Sequence, residues 1–351
     1  MVSFPDPKPG HPYHMYAMMH GQPQFIAETR DRVRGTDFVE RLRGLRHLVL
    51  TGCGTSFHAA MYGARILQAA LGPSCLVQAI HAYDVAYTSI LQGAPAVLGV
   101  SHSGSTPTTN RALSRAKRRG LGTLSVSGLP ETPMERIADD TLVIGSLHDR
   151  SWANTMSYTT QLTAFATLAG QSRRSWADLR GGLRALPAAV EHALRTEAAI
   201  KRLSRKIARK ERVTFLATGW DHITALESAL KIRETCGMTA SAYHAEQFLH
   251  GPFLSIDRGE SILFLRSRED GTRADIVGRA LAKSGAEVTL IGEHRQASIR
   301  TPRVHPYLRP IASVIPLQLL AYYAALARHS NPDIMRTDIP RLRAGVGALF
   351  Q

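Results

Sequence analysis

Along the chain, short apolar runs alternate with turns of small polar residues and with longer stretches whose apolar positions recur at helical spacing. His47–Thr51 is the first such run. It breaks into Gly52-Cys53-Gly54-Thr55-Ser56 and a helix through Ala59, Tyr62, Ala64 and Leu67. Residues 76–80, 97–100, 124–127 and 141–144 repeat the apolar run, and a helix follows Pro107 through Arg111, Leu113 and Lys117. Residues 162–169 and 176–210 read as helix, with a break near Pro187. The rhythm then starts again with a strand at 213–216, the turn Ala217-Thr218-Gly219-Trp220 and a helix over 223–235. Strands at 261–265 and 287–291 and a helix over 316–326 follow. Strands alternating with helices predict parallel sheets with crossovers, an α/β doubly wound architecture present twice. Ahead of the first copy lies a Pro- and His-rich segment, a turn at Gln22-Pro23 and a helix over 26–34. The predicted division is an N-terminal extension (1–34), a first domain (35–185), a linker helix (186–210), a second domain (211–330) and a tail (331–351).

Chemistry concentrates in residues 96–110, where the strand 97–100 opens into Ser101-His102-Ser103-Gly104-Ser105-Thr106 before Pro107 starts a helix. A strand, a hydroxyl-rich turn with a glycine and a helix start form an anion cradle. Free backbone N–H groups and the helix dipole favour negative charge there, hydroxyls add donors, and glycine lets the backbone approach. A serine-rich capping loop without a ligand is the plainer alternative. Ligands in such folds bind beyond the carboxyl ends of the strands, where the 52–56 and 101–106 loops both fall. The second copy carries Arg266-Ser267-Arg268-Glu269-Asp270 at the corresponding place. Its carboxylate pair would repel a phosphate, so the first copy alone is expected to hold one.

Composition narrows the classes. The chain has 351 residues, enough for two domains, with 44% hydrophobic and 20% charged residues, the balance of a globular protein. The net charge of +15 raises nucleic-acid binding as a possibility. The densest basic cluster, Lys201 to Arg212, follows one helix with Leu203 and Ile207 among its charges, which fits a solvated face. No zinc-finger, basic-zipper or RNA-binding signature is present, so no nucleic-acid partner is expected and the charge reads as attraction for anionic substrates. Cys53, Cys75 and Cys236 have no framework spacing, which fits a reducing cytoplasm. The N-terminal residues have no apolar core of a signal peptide, and the apolar segment 311–327 carries Ser313, Pro316 and Gln318, so a core helix is expected rather than a membrane span.

Several motifs together carry a family resemblance. They are Gly-Cys-Gly-Thr-Ser (52–56), Ser-His-Ser-Gly-Ser-Thr (101–106), Thr-Thr-Gln-Leu-Thr (159–163), Ala-Leu-Glu-Ser-Ala-Leu-Lys-Ile-Arg-Glu (225–234), His-Gly-Pro (250–252) and Pro-Leu-Gln-Leu-Leu-Ala-Tyr (316–322). From Tyr16 to about Arg341 the chain resembles the isomerase part of glucosamine-6-phosphate synthase, which is built from two sugar-isomerase (SIS) domains of flavodoxin-like fold. The resemblance implies that Ser56, Ser101, Ser103 and Thr106, with the amide of His102, hold a sugar phosphate, and that Gly54 and Thr55 lie beside it. The synthase has Gln where this chain has His102. The resemblance further implies Glu234 as the base moving a proton between C1 and C2, His250 as the residue opening the sugar ring, and Asp149 in place of a first-domain Glu. It also implies a homodimer in which His250 reaches the neighbouring site.

The residues bear separately on that pair. Lys231 and Glu234 share a helix face, and Glu234 lies near a helix C-terminus, where the dipole favours a proton and hence basicity. Alternatives stand beside each residue: an exposed helix carboxylate for Glu234, a pair with Glu227 for Lys231, a cap before Gly251-Pro252 for His250. His244, Glu246 and His250 lack the His-Glu-x-x-His spacing, so no metal is expected. Two departures from the synthase change the expected reaction. The chain carries no glutaminase segment, so glutamine is not expected to supply ammonia, and Gly345 stands at the synthase's C-terminal lysine position, which disfavours a Schiff-base route. The expected activity is that of an amino-sugar 6-phosphate deaminase or a deglycase of phosphorylated sugar–amine (Amadori) adducts, without a cofactor. Aldose–ketose isomerisation and a non-catalytic sugar-phosphate sensor are the alternatives. The expected ligand is a hexose or hexosamine 6-phosphate, or such an adduct.

Overall fold

A computed structural model of the chain describes residues 4–88, 91, 93 and 96–349. The first three residues of the Pro-rich segment lie outside that range. The chain divides into two compact units. The first comprises Gly21–Asp149 and Met156–Pro187, the second Met1–His20, Arg150–Thr155 and Ala188–Gln351.

Helix α1 (His14–His20) belongs to the second unit. In the first, α2 (Gln22–Arg34) begins at the predicted turn, because Pro23 sits in the first helical turn, where its missing N–H has no partner to lose. Then come β1 (His47–Thr51), α3 (Thr55–Leu71), β2 (Leu76–Ala79), α4 (Ala82–Tyr87), β3 (Ala96–Ser101), α5 (Pro107–Arg118), β4 (Thr123–Ser127), α6 (Pro133–Ile137), β5 (Asp140–Val143) and α7 (Met156–Ser172). The sheet order is β2-β1-β3-β4-β5 and every pairing is parallel. β3 is buried at all six positions, as its unbroken apolar run requires of a central strand. One face of the sheet packs Val49 and Val97 against Val85, Leu113 and Met134. On the other, Gly63 has no side chain to keep α3 from Leu50 and Phe165, which a Cβ there would meet at 2.8 Å.

Helix α8 (Ala177–Leu194) runs on through Pro187, against the predicted break. Proline leaves the carbonyl four residues earlier without its helical N–H. That carbonyl, on Leu183, accepts instead from Arg30 Nη1 at 3.4 Å. The interruption falls at Arg195 and Thr196, before α9 (Glu197–Ile207).

The second unit continues with β6 (Arg212–Ala217), α10 (Asp221–Cys236), β7 (Thr239–His244), α11 (Ala245–Leu249), β8 (Ser261–Arg266), α12 (Gly271–Lys283), β9 (Glu287–Gly292), β10 (Ile299–Arg300), α13 (Arg309–Ala327) and α14 (Pro340–Leu349). Its sheet order is β10-β9-β8-β6-β7, again all parallel. The expected doubly wound duplication is therefore present. α13 is long and apolar enough to cross a membrane, yet it lies in the core of this unit, with Gln318 and Tyr322 fully buried, and packs on α9 and α10. The carboxylate of Asp333 accepts the backbone N–H groups of His14 and Met15, both at 2.8 Å, and so caps α1.

Candidate functional site

In each sheet the order reverses direction next to the first strand, between β1 and β3 in one unit and between β6 and β8 in the other. Loops leaving two such strands part to opposite faces and open a crevice at their carboxyl ends. In the first unit the crevice is bordered by the 52–54 turn leading into α3 and by the 102–106 turn leading into α5.

Hydroxyls gather there. Ser101 Oγ lies 3.0 Å from Thr106 Oγ1, and Ser103 Oγ lies 2.9 Å from Ser105 Oγ. Ser56, in the first turn of α3, accepts from Gln161 Nε2 on α7 at 3.2 Å. Thr55 is buried and Gly54, at φ 54°, turns the chain into the helix. Gly104 is also in the left-handed region (φ 60°), and a Cβ there would overlap the Thr132 side chain. The turn is thus pinned from below, with the Gly104 carbonyl accepting from Met134 N at 3.0 Å and Asn110 Nδ2 at 3.1 Å. The predicted phosphate residues of 101–106 form one turn, and Ser56 sits on the helix that starts at the neighbouring strand. Gln161, inside the 159–163 motif, has no role that the sequence alone indicates; its hydrogen bond to Ser56 supplies one.

His102 serves the same turn from beneath. Its Nε2 donates to the Leu147 carbonyl at 3.1 Å, its ring fills the space a Gly128 side chain would need, and its carbonyl accepts from Gly128 N at 2.9 Å. Nδ1 is buried without a partner, and burial pushes the imidazole below its usual range, so the ring is neutral. Asp149 Oδ2 accepts from Ser157 N at 3.1 Å and Ser157 Oγ at 3.2 Å, at the start of α7. That geometry makes it a helix-capping carboxylate.

In the second unit, α10 carries Glu227, Lys231 and Glu234 on one face. Lys231 Nζ donates to Glu234 Oε2 and lies 3.4 Å from Glu227 Oε1. Lys231 and Glu227 are fully buried, while Glu234 keeps part of its carboxylate open to solvent. Lys231 therefore meets both carboxylates on this helix face, Glu227 and Glu234. Gly237, left-handed at φ 62°, ends the helix as the sequence indicated. His250 is exposed at the end of α11, where its amide donates to the Gln247 carbonyl at 3.2 Å. Glu246, grouped with it in the sequence, is held by Arg273 through bonds of 2.5 and 2.8 Å.

The crevice between β6 and β8 is filled from within. Buried Arg309 donates to Asp221 Oδ2 at 2.5 Å and to Glu269 Oε2 at 2.6 Å, and Ser313 donates to Asp221 Oδ1 at 2.8 Å. Asp270 accepts from Ser267 N at 2.7 Å and from the Thr218 hydroxyl. The predicted carboxylate pair is real, and its charge is consumed by protein donors.

A doubly wound pair of five-stranded parallel sheets, one with a hydroxyl-lined crevice, defines the class: a tandem α/β protein. Residues 41–170 and 206–328 match the SIS domain family, and the chain belongs to that family. The glutamine–fructose-6-phosphate aminotransferase (isomerizing) of Pyrococcus horikoshii is 28% identical over 342 residues, covering 93% of this chain and 57% of its own length. The chain thus spans little more than half of that relative. Among solved structures, the C-terminal domain of glucosamine-fructose-6-phosphate aminotransferase from Francisella tularensis superposes with a TM-score of 0.85 at 23% identity, covering 93% of this chain and 99% of that one. Glucosamine-6-phosphate deaminase of Thermotoga maritima superposes with a TM-score of 0.72 at 20% identity, covering 92% and 97%. The resemblance drawn from the motifs is borne out at the level of family and fold.

Proposed function

We propose that the protein is a cytoplasmic phosphosugar enzyme that releases ammonia or an amine from an amino-sugar 6-phosphate or a phosphorylated Amadori adduct. The observation that carries this reading is the asymmetry of the two crevices. One offers Ser101, Ser103 and Thr106 with Ser56 alongside; the other is closed by its own Asp221–Arg309–Glu269 network. The phosphate dianion takes the first, where hydroxyls and backbone N–H groups replace its water.

Proton transfer falls to the second unit. His250 carries a proton from the anomeric hydroxyl to the ring oxygen, opening the sugar. With a 2-amino sugar, Glu234 takes the C2 proton and returns it to C1 through an enaminol. The resulting C2 imine adds water and releases ammonia and the ketose phosphate. With an Amadori adduct the proton moves from C1 to C2, and hydrolysis of the C1 imine releases the amine and the aldose phosphate. Lys231 fixes the Glu234 carboxylate. The names of relatives carrying amino groups on sugar 6-phosphates support this substrate class.

The test is incubation with glucosamine 6-phosphate, fructose 6-phosphate and 6-phosphofructosamine adducts in deuterated water, following ammonia, amine and sugar. Deuterium should enter C1 or C2 with release of ammonia or amine. Tight binding of one of these esters without any exchange would make the protein a sensor instead. Ser101→Ala with Ser103→Ala should raise KM sharply, since each charge-assisted hydrogen bond is worth about 1.5–3 kcal/mol. Calorimetric isotherms for the ester that are unchanged from wild type would remove the phosphate assignment.

A further inference from the structure

The second unit holds a cavity of about 510 Å³ lined by Arg268, Glu293, His294, Arg295, Gln296 and Arg303. Its volume lies within the range of small-molecule sites, about 300–1,000 Å³. Arg268 follows β8, residues 293–296 follow β9, and Arg303 follows β10. The cavity therefore opens at the carboxyl ends of the strands, the ligand side of a parallel sheet, but displaced toward β9 and away from the filled crevice between β6 and β8.

The charges at this end of the sheet are unevenly satisfied. Arg309 and Arg266 each meet a carboxylate at 2.5–2.6 Å. Among the described residues, Arg268, Arg295 and Arg303 have no ion-pair partner; all three are exposed, so their guanidinium groups meet water around one concavity and are open to an anion. Glu293, the cavity's one carboxyl, is partly buried and has Oε1 without a hydrogen-bond partner; burial pushes it above the usual carboxylate range. Three unpaired forks that match phosphate oxygens, beside a carboxyl and the Gln296 amide that match hydroxyls, describe a complementary ligand.

We infer that this cavity is a second small-molecule site, separate from the Ser101 turn, and that it binds the phosphomonoester of a polyhydroxy compound, a sugar phosphate held by Arg268, Arg295 and Arg303 with its hydroxyls on Glu293 and Gln296. The inference does not depend on the proposed reaction, because it concerns other residues.

Calorimetric titration of the full chain with fructose 6-phosphate, inorganic phosphate and fructose tests it. Wild type should bind the ester at one more site than the Arg295→Ala/Arg303→Ala protein, and each arginine removed should weaken this site by roughly tenfold or more. The Ser101→Ala/Ser103→Ala protein should retain it, whether or not the Ser101 turn binds substrate. Unaltered wild-type isotherms in the folded double-arginine variant, its fold checked by circular dichroism, would overturn the site. Equal affinity for inorganic phosphate and the ester would overturn its assignment to a sugar phosphate, and detectable binding of fructose alone would overturn the role of the arginines.

Discussion

Two residues, His102 and Glu234, show how far one side chain can be read. His102 stands where the synthase carries Gln, and the sequence left its role to its amide. The structure adds a neutral, buried ring that props the 101–106 turn through Leu147 and Gly128. Because burial lowers its proton affinity below the ordinary value of 6.5, the unfolded chain takes up a proton first as pH falls. Stability contributed by the neutral ring is complete above about pH 6.5 and declines below it, by up to about 1.4 kcal/mol per pH unit. His102→Gln should remove this share, so that the fall in Tm from pH 7 to 5.5 is smaller in the variant; an identical fall in both proteins would show that the ring does not titrate between the states. Glu234→Gln tests the proposed base. The amide oxygen can still accept from Lys231, so α10 should keep its packing while the proton acceptor is lost. Turnover should drop by roughly two to four orders of magnitude with KM nearly constant, because the proposed phosphate grip lies in the other unit. A kcat within tenfold of wild type would assign the base elsewhere.

At the level of elements, the β3–α5 turn leaves no room for a side chain at Gly104. Ala at Gly104 would have to adopt φ 60° and displace Thr132, whose Oγ1 accepts from Glu135 N at 3.2 Å and caps α6. The left-handed backbone costs about 1–2 kcal/mol and a lost cap about as much again. Urea unfolding should therefore show Gly104→Ala destabilised by roughly 2–4 kcal/mol, with weakened phosphate binding; a change below about half a kilocalorie would mean that the turn relaxes freely. The central strands were legible because both faces of a parallel sheet are covered, which leaves unbroken runs such as Ala96–Ser101. β7 was not, since its Thr-Ala-Ser-Ala-Tyr-His sequence lies at a sheet edge and is mostly half-buried, with no run and no strict alternation. α12 and α14 lack a clear signal too: one follows the charged 266–270 stretch directly, the other starts at Pro340 in the Arg-rich tail. The hydroxyl-rich turn between β3 and α5 was readable from its serines and glycine. The arginine cavity was not, because Arg268, Arg295 and Arg303 are brought together only by the pairing of β8, β9 and β10.

For the whole molecule, the resemblance implies a homodimer with His250 working in the neighbour's site, and a surface feature supports such an arrangement. His250 is exposed, and four residues on Leu254 is 88% exposed, an apolar side chain standing out beside a proposed active-site imidazole. A second copy of the chain covering this segment would bury Leu254 and carry His250 to another subunit's substrate. Glu234→Gln and His250→Ala proteins, each nearly inactive alone, then carry complementary lesions. After subunit exchange, half of the dimers are mixed and each mixed dimer has one intact site, so activity should recover to about a quarter of wild type. Leu254→Glu, which places a charge on the same surface, should shift the sedimentation equilibrium toward monomer and abolish the recovery. Should the exchanged mixture stay at the level of its parents while each parent still binds the sugar phosphate, each site would use the His250 of its own chain, and any dimer would serve stability alone.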